Sequence, residues 1–539
     1  MRRFRVLLLG VVSHLGLTGA DIQAPPAIVP DGVVNSASRL PASLRGGAIA
    51  VGARFTIPGV RLGPEKPVHG SESDPPVKLA DVAVRIAQGN RALDAGLLLV
   101  SATNIEAWMP PTAPRGEVEL TVTYLGRASE PYKLSLVAAS AGFYTAATAP
   151  DALPGARRQP DAAPGDTVTF WGTGVGPGLD VVVGGKPAES VKIAAAECCK
   201  GIEQVAFRVP AGAPMGCYVP VLARAADGRI SNAIPIAVHA PSQSCRDELD
   251  WFRDGVEQAR NAGFIALARV SIDMHLAPKM SAQSRFDYGI ASFGRQESGQ
   301  REFPPLPPAG TCSVFTARLN LRQVLGQARA SDWASIPEKT RGNKRLDAGD
   351  AISLTGAGGV RRLPRDTHQK EYYSARLGGL SPMSREEATP LYLKSGTYAI
   401  SAPGGADIGP FSTKLEVFSP VVWKNRDRID VVDRDAGVTL EWKAARANDA
   451  ILILAANADR ASGDSAVCLC MAHAADGRFH IPSMALSNLP ATPDADDLEA
   501  SFLALLELPV NPPARIEARG LDQAFAAFLS ASARTLQYR

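Results

Sequence analysis

The sequence predicts an all-β chain of sandwiches in tandem. Three observations carry this. Short runs of alternating apolar and polar residues are separated by turn residues, Gly (49) and Pro (42) are abundant, and long Leu/Glu/Lys-rich helical stretches are nearly absent. Hairpins need residues that accept positive φ or a fixed φ at the turn, so a turn-rich β protein uses Gly and Pro heavily. At 539 residues the chain exceeds one hydrophobic core, and three or four domains are expected. With 45% apolar and 21% charged residues the composition is globular and excludes wholesale disorder.

The first twenty residues indicate a compartment. Arg2, Arg3 and Arg5 precede an apolar run from Val6 to Leu17, and Thr18-Gly19-Ala20 offers a small-residue cleavage site. That layout predicts a signal peptide over residues 1–20, since the run is shorter than the ~20 residues that cross a bilayer. The mature chain is expected to be secreted or held at the cell surface, with the periplasm as the other compartment, and to have no membrane span. The formal net charge of +3 includes those three arginines and no acid among the first twenty residues, so the rest is balanced. A nucleic-acid partner needs a basic footprint, which this balance does not provide. Arg361, Arg362, Arg365 and Lys370 form one weakly basic stretch, read as a solvated hairpin loop rather than a polyanion site.

A repeat organises the next two hundred residues. Gly59-Val60-Arg61-Leu62-Gly63-Pro64 returns as Gly174-Val175-Gly176-Pro177, each closing a β-prone segment (48–57 and 166–172). The segment from Asn104 through Trp108 to Pro110 returns as Ile202 to Pro210. Both copies then pass a Pro- and Gly-containing turn into alternating strands, 117–124 and 217–223, and close on 132–137 and 233–238. Within the second copy, Val205, Phe207 and Val209 are expected on the core face and Gln204, Ala206 and Arg208 on the other. Units of about a hundred residues built this way predict immunoglobulin-like sandwiches at 28–140 and 145–242. The Gly-x-Gly-Pro turns are not phosphate cradles, because neither a helix start nor a Lys-Ser/Thr pair follows.

The stretch Gly165-Asp166-Thr167-Val168-Thr169-Phe170-Trp171-Gly172-Thr173-Gly174-Val175-Gly176-Pro177 resembles the opening of Ig-like domains, related to the IPT/TIG type, of secreted proteins of soil acidobacteria. So does Cys198-Cys199-Lys200-Gly201 through Pro210, followed by Gly216-Cys217-Tyr218-Val219-Pro220-Val221 and Ser231-Asn232. Val33-Val34-Asn35-Ser36-Ala37-Ser38 matches the entry to the first such domain, although Phe55-Thr56-Ile57-Pro58-Gly59 departs from the usual Gly-Thr-Gly turn.

Beyond Cys245 a short amphipathic helix is expected, with Leu249, Phe252 and Val256 on one face. A Pro-rich stretch, 301–310, and strand-like segments at 312–319, 351–354, 397–402 and 414–418 follow. A β-rich domain at 246–418 and a sandwich-like module at 419–539 are the expected divisions. Gly396-Thr397-Tyr398-Ala399-Ile400-Ser401, Val422-Trp423-Lys424-Asn425-Arg426 and Leu486-Ser487-Asn488-Leu489-Pro490 resemble a C-terminal module that follows such Ig-like domains. That resemblance implies architecture and an extracellular setting, not an activity.

Seven cysteines in an exported chain read as disulfide candidates: Cys198, Cys199, Cys217, Cys245, Cys312 and Cys470, with Cys468 left over. The sequence leaves connectivity open, except that adjacent Cys198 and Cys199 are expected to take different partners. Cys468 is assigned as the free thiol because the resembling pattern carries a cysteine at position 470 and none at 468. Cys468, Cys470, His473 and His480 form a candidate zinc set, against which stand a non-standard spacing and an oxidising compartment. Asp427, Asp430, Asp433 and Asp435 offer oxygen ligands for calcium but lack the Gly and distal Glu of an EF-hand. Trp108, Trp171, Trp423 and Trp442 are candidates for stacking on sugar rings, with core packing as the competing use.

No H-E-x-x-H or G-x-S-x-G motif is present, and no cofactor is expected. The reading is therefore a non-enzymatic binding or adhesion protein outside the cell, its partner a polysaccharide or another surface protein. A glycan-processing enzyme with its site in 246–395, or a structural spacer, is the alternative.

Overall fold

The computed structural model describes residues 24–151, 153, 155, 158–252, 259–277, 280–295, 305–318, 344–366, 372–380, 387–459, 462–492, 501–511 and 513–539. The expected signal peptide (1–20), Val256 and Lys370 lie outside these residues. The regular secondary structure of the described chain is nearly all β-strand, and no helix in it is long and apolar enough to cross a membrane.

The first sandwich occupies Ala27–Val137. One sheet runs Ala27–Ile28, Arg54–Val60, Asn104–Trp108, Gly96–Val100, Val68–His69, and its partner runs Ile49–Ala50, Tyr132–Val137, Gly116–Tyr124, Val82–Gln88, Lys78–Leu79. The second sandwich repeats the plan. Gly142–Phe143, Thr167–Thr173, Glu203–Arg208 and Glu189–Ala195 face Asp161–Ala162, Ile234–Val238, Gly216–Arg224, Asp180–Val183 and Lys186–Pro187. In each unit the entering chain is split between the sheets. Its first piece pairs antiparallel within one sheet, and its second pairs parallel with the unit's last strand, Ile49–Ala50 with Leu136–Val137 and Asp161–Ala162 with Ala237–Val238. This strand order is immunoglobulin-like.

The alternation in the sequence sets the cores. Val205, Phe207 and Val209 are fully buried, Gln204 and Ala206 half-buried, and Arg208 exposed. Phe170 packs edge-to-face against Phe143 and Phe207, each at 5.2 Å between centroids. Burying each such ring contributes about 1.5–3 kcal/mol. The Gly174-Val175-Gly176 turn closes the strand with both glycines at positive φ, +69° and +66°, a conformation that costs other residues strain.

The C-terminal region departs from the expected division at 418. A ten-stranded sheet runs Thr311–Arg318, Asp464–His473, Ala450–Ala458, Phe502–Leu508, Gln523–Thr535, Asn261–Ala277, Met280–Arg295, Lys344–Arg345, with Tyr372–Gly379 and Ala514–Arg515 attached. Strands from both sides of residue 418 therefore share one sheet. Asn261–Ala277 pairs in parallel with Gln523–Thr535, and Thr311–Arg318 lies against Asp464–His473. The boundary placed there is corrected: period-two patterning reveals which face a residue takes, not which strand lies alongside.

Two small sheets cover one face of this long sheet. Gly359–Pro364, Ala351–Gly356, Gly396–Ala402 and Phe411–Val417 enclose a core with Ile265, Leu267, Ile352, Tyr398 and Phe528. Val422–Trp423, Val438–Lys443 and Arg478–Ile481 enclose another with Trp442, Ile451, Ile453 and Leu503. Between the cores a polar seam crosses the same face. Arg269 makes two bonds to the fully buried Asp287, at 2.8 and 2.9 Å. Ser530 Oγ accepts the Val421 N–H at 2.7 Å and donates to Glu507 Oε2 at 3.4 Å, and Arg534 lies 3.9 Å from Asp273. Burial pushes the Glu507 carboxyl up to about 7. The helix expected after Cys245 reduces to Asp250–Phe252 among the described residues. Its Trp251 packs on Phe525 at 5.4 Å and donates Nε1–H to Pro509 O.

Candidate functional site

The two sandwiches and the C-terminal region meet at Asn488, whose side chain is 3% exposed. Its Oδ1 accepts the Gly46 N–H at 3.2 Å, and its Nδ2 donates to Ile230 O and Ser231 O, both at 3.4 Å. One carboxamide thus ties all three parts together. Gly46 is required by closeness: a Cβ there would lie 2.2 Å from Ile230 O. Ser140 Oγ bonds Gly46 O at 3.0 Å, and Ser43 Oγ bonds Asp464 Oδ2 at 2.6 Å, so the contact continues on both sides of the amide.

Beside this clamp opens a cleft of about 510 Å³, with walls from all three parts. The first sandwich supplies Arg45, the second Arg224, Asp227 and Arg229, and the third region Asp435 and the Ser483–Ser487 turn. Arg45 pairs with Asp435 through both its Nη atoms, Arg229 pairs with Asp227, and Arg224 Nη2 lies 2.9 Å from Asp180 Oδ2. The hydrogen bond from Arg45 holds the Asp435 carboxyl below its ordinary value. All three pairs are partly or largely exposed, so water screens them and little stability is at stake. The cleft is therefore a patchwork of planar donors and acceptors, close to electrically balanced, with Met484 and Ile230 as its apolar members.

A second polar cluster fills the joint between the two sandwiches. Arg54, with its side chain 1% exposed, donates Nε–H to Lys200 O at 2.6 Å and places Nη2 2.7 Å from Glu72. Asn35 Nδ2 reaches across to Ser140 O (3.2 Å) and Thr173 O (3.4 Å). Burial raises the Glu106 carboxyl and pushes Glu203 up to about 8. Burial also raises the Tyr144 phenol, whose hydroxyl has no hydrogen-bond partner among the described residues.

The predicted cysteines fall at three places. Cys217 and Cys245 are bridged, as are Cys312 and Cys470, while Cys468 is the free, buried thiol. Cys198 and Cys199 bridge each other, which corrects the expectation of separate partners. The reason is local. Cys217 and Cys245 satisfy one another, and the 196–202 turn is pinned to the first sandwich by Lys200 N–H to Glu72 O (2.8 Å) and by the Arg54 bond to Lys200 O. Cys199 is buried against Ala37, Tyr144 and Ile202, leaving its neighbour as its partner.

The zinc set is not assembled. Cys470 is engaged in its disulfide, and Cys468 faces the core beside it. Strand alternation turns His473 outward, 3.5 Å from Glu248, and His480 is exposed against Thr439 Oγ1. The calcium set is likewise dispersed. Asp427 pairs with Arg426, Asp430 with Arg534 and Asp435 with Arg45, while Asp433 Oδ1 caps the Asp435 N–H. Trp423 (6% exposed) and Trp442 (1%) are core residues and present no stacking face. Trp108 is half-buried at the sandwich joint, with Lys200 Nζ 5.9 Å from its ring, and Trp171 packs half-buried beside Cys199.

Sequence reasoning missed Arg54, Glu203, Gly46 and the clamp role of Asn488. It also missed Asp449 and Glu507, two buried carboxyls that burial pushes up. Asn488 lies inside the Leu486–Pro490 motif, yet nothing in that motif says what its amide touches.

Neither a protein-family model nor a curated protein matches the chain by sequence. Solved structures similar to it include the titin Ig tandem domains A164-A165, at 10% identity over 36% of this chain and 93% of that one, TM-score 0.13. Two SGBP-B structures are also similar. One, from the Bacteroides ovatus mixed-linkage glucan utilization locus in complex with a mixed-linkage heptasaccharide, is 10% identical over 35% of this chain and 45% of that one, TM-score 0.19. The other, from a complex xyloglucan utilization locus in Bacteroides uniformis, is 12% identical over 68% and 89%, TM-score 0.16. The immunoglobulin-like assignment stands on the strand order itself.

Proposed function

We propose that the chain is an exported, non-enzymatic binding protein whose ligand is a polysaccharide, held in the cleft where its three parts meet. The observation that carries this reading is the wall of that cleft, where Arg45, Arg224, Arg229, Asp227 and Asp435 set guanidinium and carboxylate groups side by side. Guanidinium groups only donate and carboxylates only accept, so together they match the vicinal hydroxyls of a sugar, each of which does both. Near charge balance favours a polyhydroxylic ligand over a polyanion. A volume of about 510 Å³ lies within the usual range for ligand sites. Three disulfides support export, since such bridges persist in oxidising compartments.

The test is retention of the oxidised protein on a panel of insoluble neutral and acidic polysaccharides, with released sugar assayed in the supernatant. Retention without release, weakened in Arg224→Ala/Arg229→Ala, is the expected result. Release of sugar would overturn the non-enzymatic reading, and equal retention by the double variant would remove the cleft as the site.

A further inference from the structure

Three sulfurs lie together in the core under the long sheet. Cys312 and Cys470 sit opposite each other on neighbouring strands and are bridged. Cys468 Sγ lies 3.6 Å from Cys470 Sγ, and the sulfurs of Cys312, Cys468 and Cys470 all fall within 4.8 Å of one another. Residues 468 and 470 are two apart on one strand, so their side chains share a face. Thr311–Arg318 closes the described sheet as an edge strand, with Asp464–His473 as its one ladder partner. A strand so placed can slip by two residues without turning any side chain to the other face. That slip would set Cys312 opposite Cys468, Val314 opposite Ala466 and Phe315 opposite Ser465, in place of the observed Cys470, Cys468 and Val467.

We propose that Cys468 is the alternative disulfide partner of Cys312, so that the edge strand has two registers, each locked by its own bridge. The exchange needs no outside oxidant. The Cys468 thiolate attacks Cys312 Sγ, the Cys312–Cys470 bond breaks as the Cys312–Cys468 bond forms, and Cys470 leaves as a thiolate that takes up the proton Cys468 gave up. Burial pushes the Cys468 thiol up to about 12. Little thiolate therefore exists near neutrality, and the observed bridge is kinetically held until the pH rises or the strand opens.

Mapping the bridges of the oxidised full chain tests this, using acid quench, alkylation under denaturing conditions and peptide mass spectrometry. Cys470→Ser is expected to carry a Cys312–Cys468 bridge, and its crystal structure to place Val314 opposite Ala466. Alkylation of both Cys312 and Cys468 in the folded variant would overturn the proposal, as would a bridged variant that keeps Val314 opposite Cys468. Should Cys470→Ser not fold, the wild-type chain held at alkaline pH decides. Label moving in part from Cys468 to Cys470 supports the exchange, and label on Cys468 alone overturns it.

Discussion

Replacing Asn488 by Ala tests whether one amide holds three domains together. The substitution removes three hydrogen bonds, from Gly46 N–H and to Ile230 O and Ser231 O. The two bonds at 3.4 Å are long and worth little. The Gly46 N–H is the costly loss, because it stays buried without an acceptor, at roughly 1–3 kcal/mol. Together the change should weaken docking of the C-terminal region by about 2–4 kcal/mol, a factor of roughly 30 to 1,000 in the docked-to-undocked ratio. The sandwiches and the long sheet, whose cores lie elsewhere, should keep their own stability. Solution scattering should show a larger radius of gyration, limited proteolysis new cuts between Val238 and Asn261, and denaturant unfolding separate transitions where the parent shows coupling. Polysaccharide retention should fall with docking, since the cleft exists only when all three walls are in place. An unchanged radius of gyration together with a midpoint shift worth less than about 0.5 kcal/mol would refute the clamp argument.

Gly46→Ala should undock the same joint by a steric route, and differential scanning calorimetry should report it. A variant as stable as the parent would mean the 2.2 Å approach is readily relieved. The sandwich joint should weaken with rising pH. Glu203 has a folded value raised to about 8, so its stabilising share is complete below its unfolded value near 4.5 and is lost as pH climbs through about 8. Glu203→Gln should flatten the dependence in urea titrations across that window. The disulfides should differ in worth. Removing Cys217–Cys245, which closes a loop of 28 residues, should cost about 3–4 kcal/mol. Opening the adjacent Cys198–Cys199 bridge releases almost no loop and should barely move the global midpoint, as paired serine variants would show. Trp442→Ala should cost about 3–5 kcal/mol by thermal unfolding, the loss expected of a ring only 1% exposed.

Where pattern and chemistry are local, the sequence was legible. The alternation at Val205, Phe207 and Val209 and the turn at Gly174 depend on residues near in the chain. Motif text drew attention to Asn35, Asn232 and Asn488 without giving their role. Each is an amide staple: Asn35 ties the first sandwich to Ser140 and Thr173, Asn232 brackets the Phe143 N–H and C=O, and Asn488 joins three parts. An amide that both donates and accepts suits such junctions, but its partners lie up to 442 residues away. The shared sheet was hidden for a related reason. Asn261–Ala277 and Gln523–Thr535 are both rich in small residues, and neither carries a mark that names the other as its parallel neighbour. The bridge between Cys198 and Cys199 went against a sound general expectation, because tertiary docking of their turn removed the other choices.

The strand Gln523–Thr535 lies between Phe502–Leu508 and Asn261–Ala277, in the middle of the long sheet, although it is nearly the last segment of the chain. As the chain is made, its first Ig-like units can close as they emerge, whereas Asn261–Ala277 must wait for Gln523–Thr535 to pair along that edge. Contacts of such sequence separation form slowly and leave apolar strands unpaired in the meantime. Truncating the last twenty residues would not trim a tail. It would split the sheet down its centre.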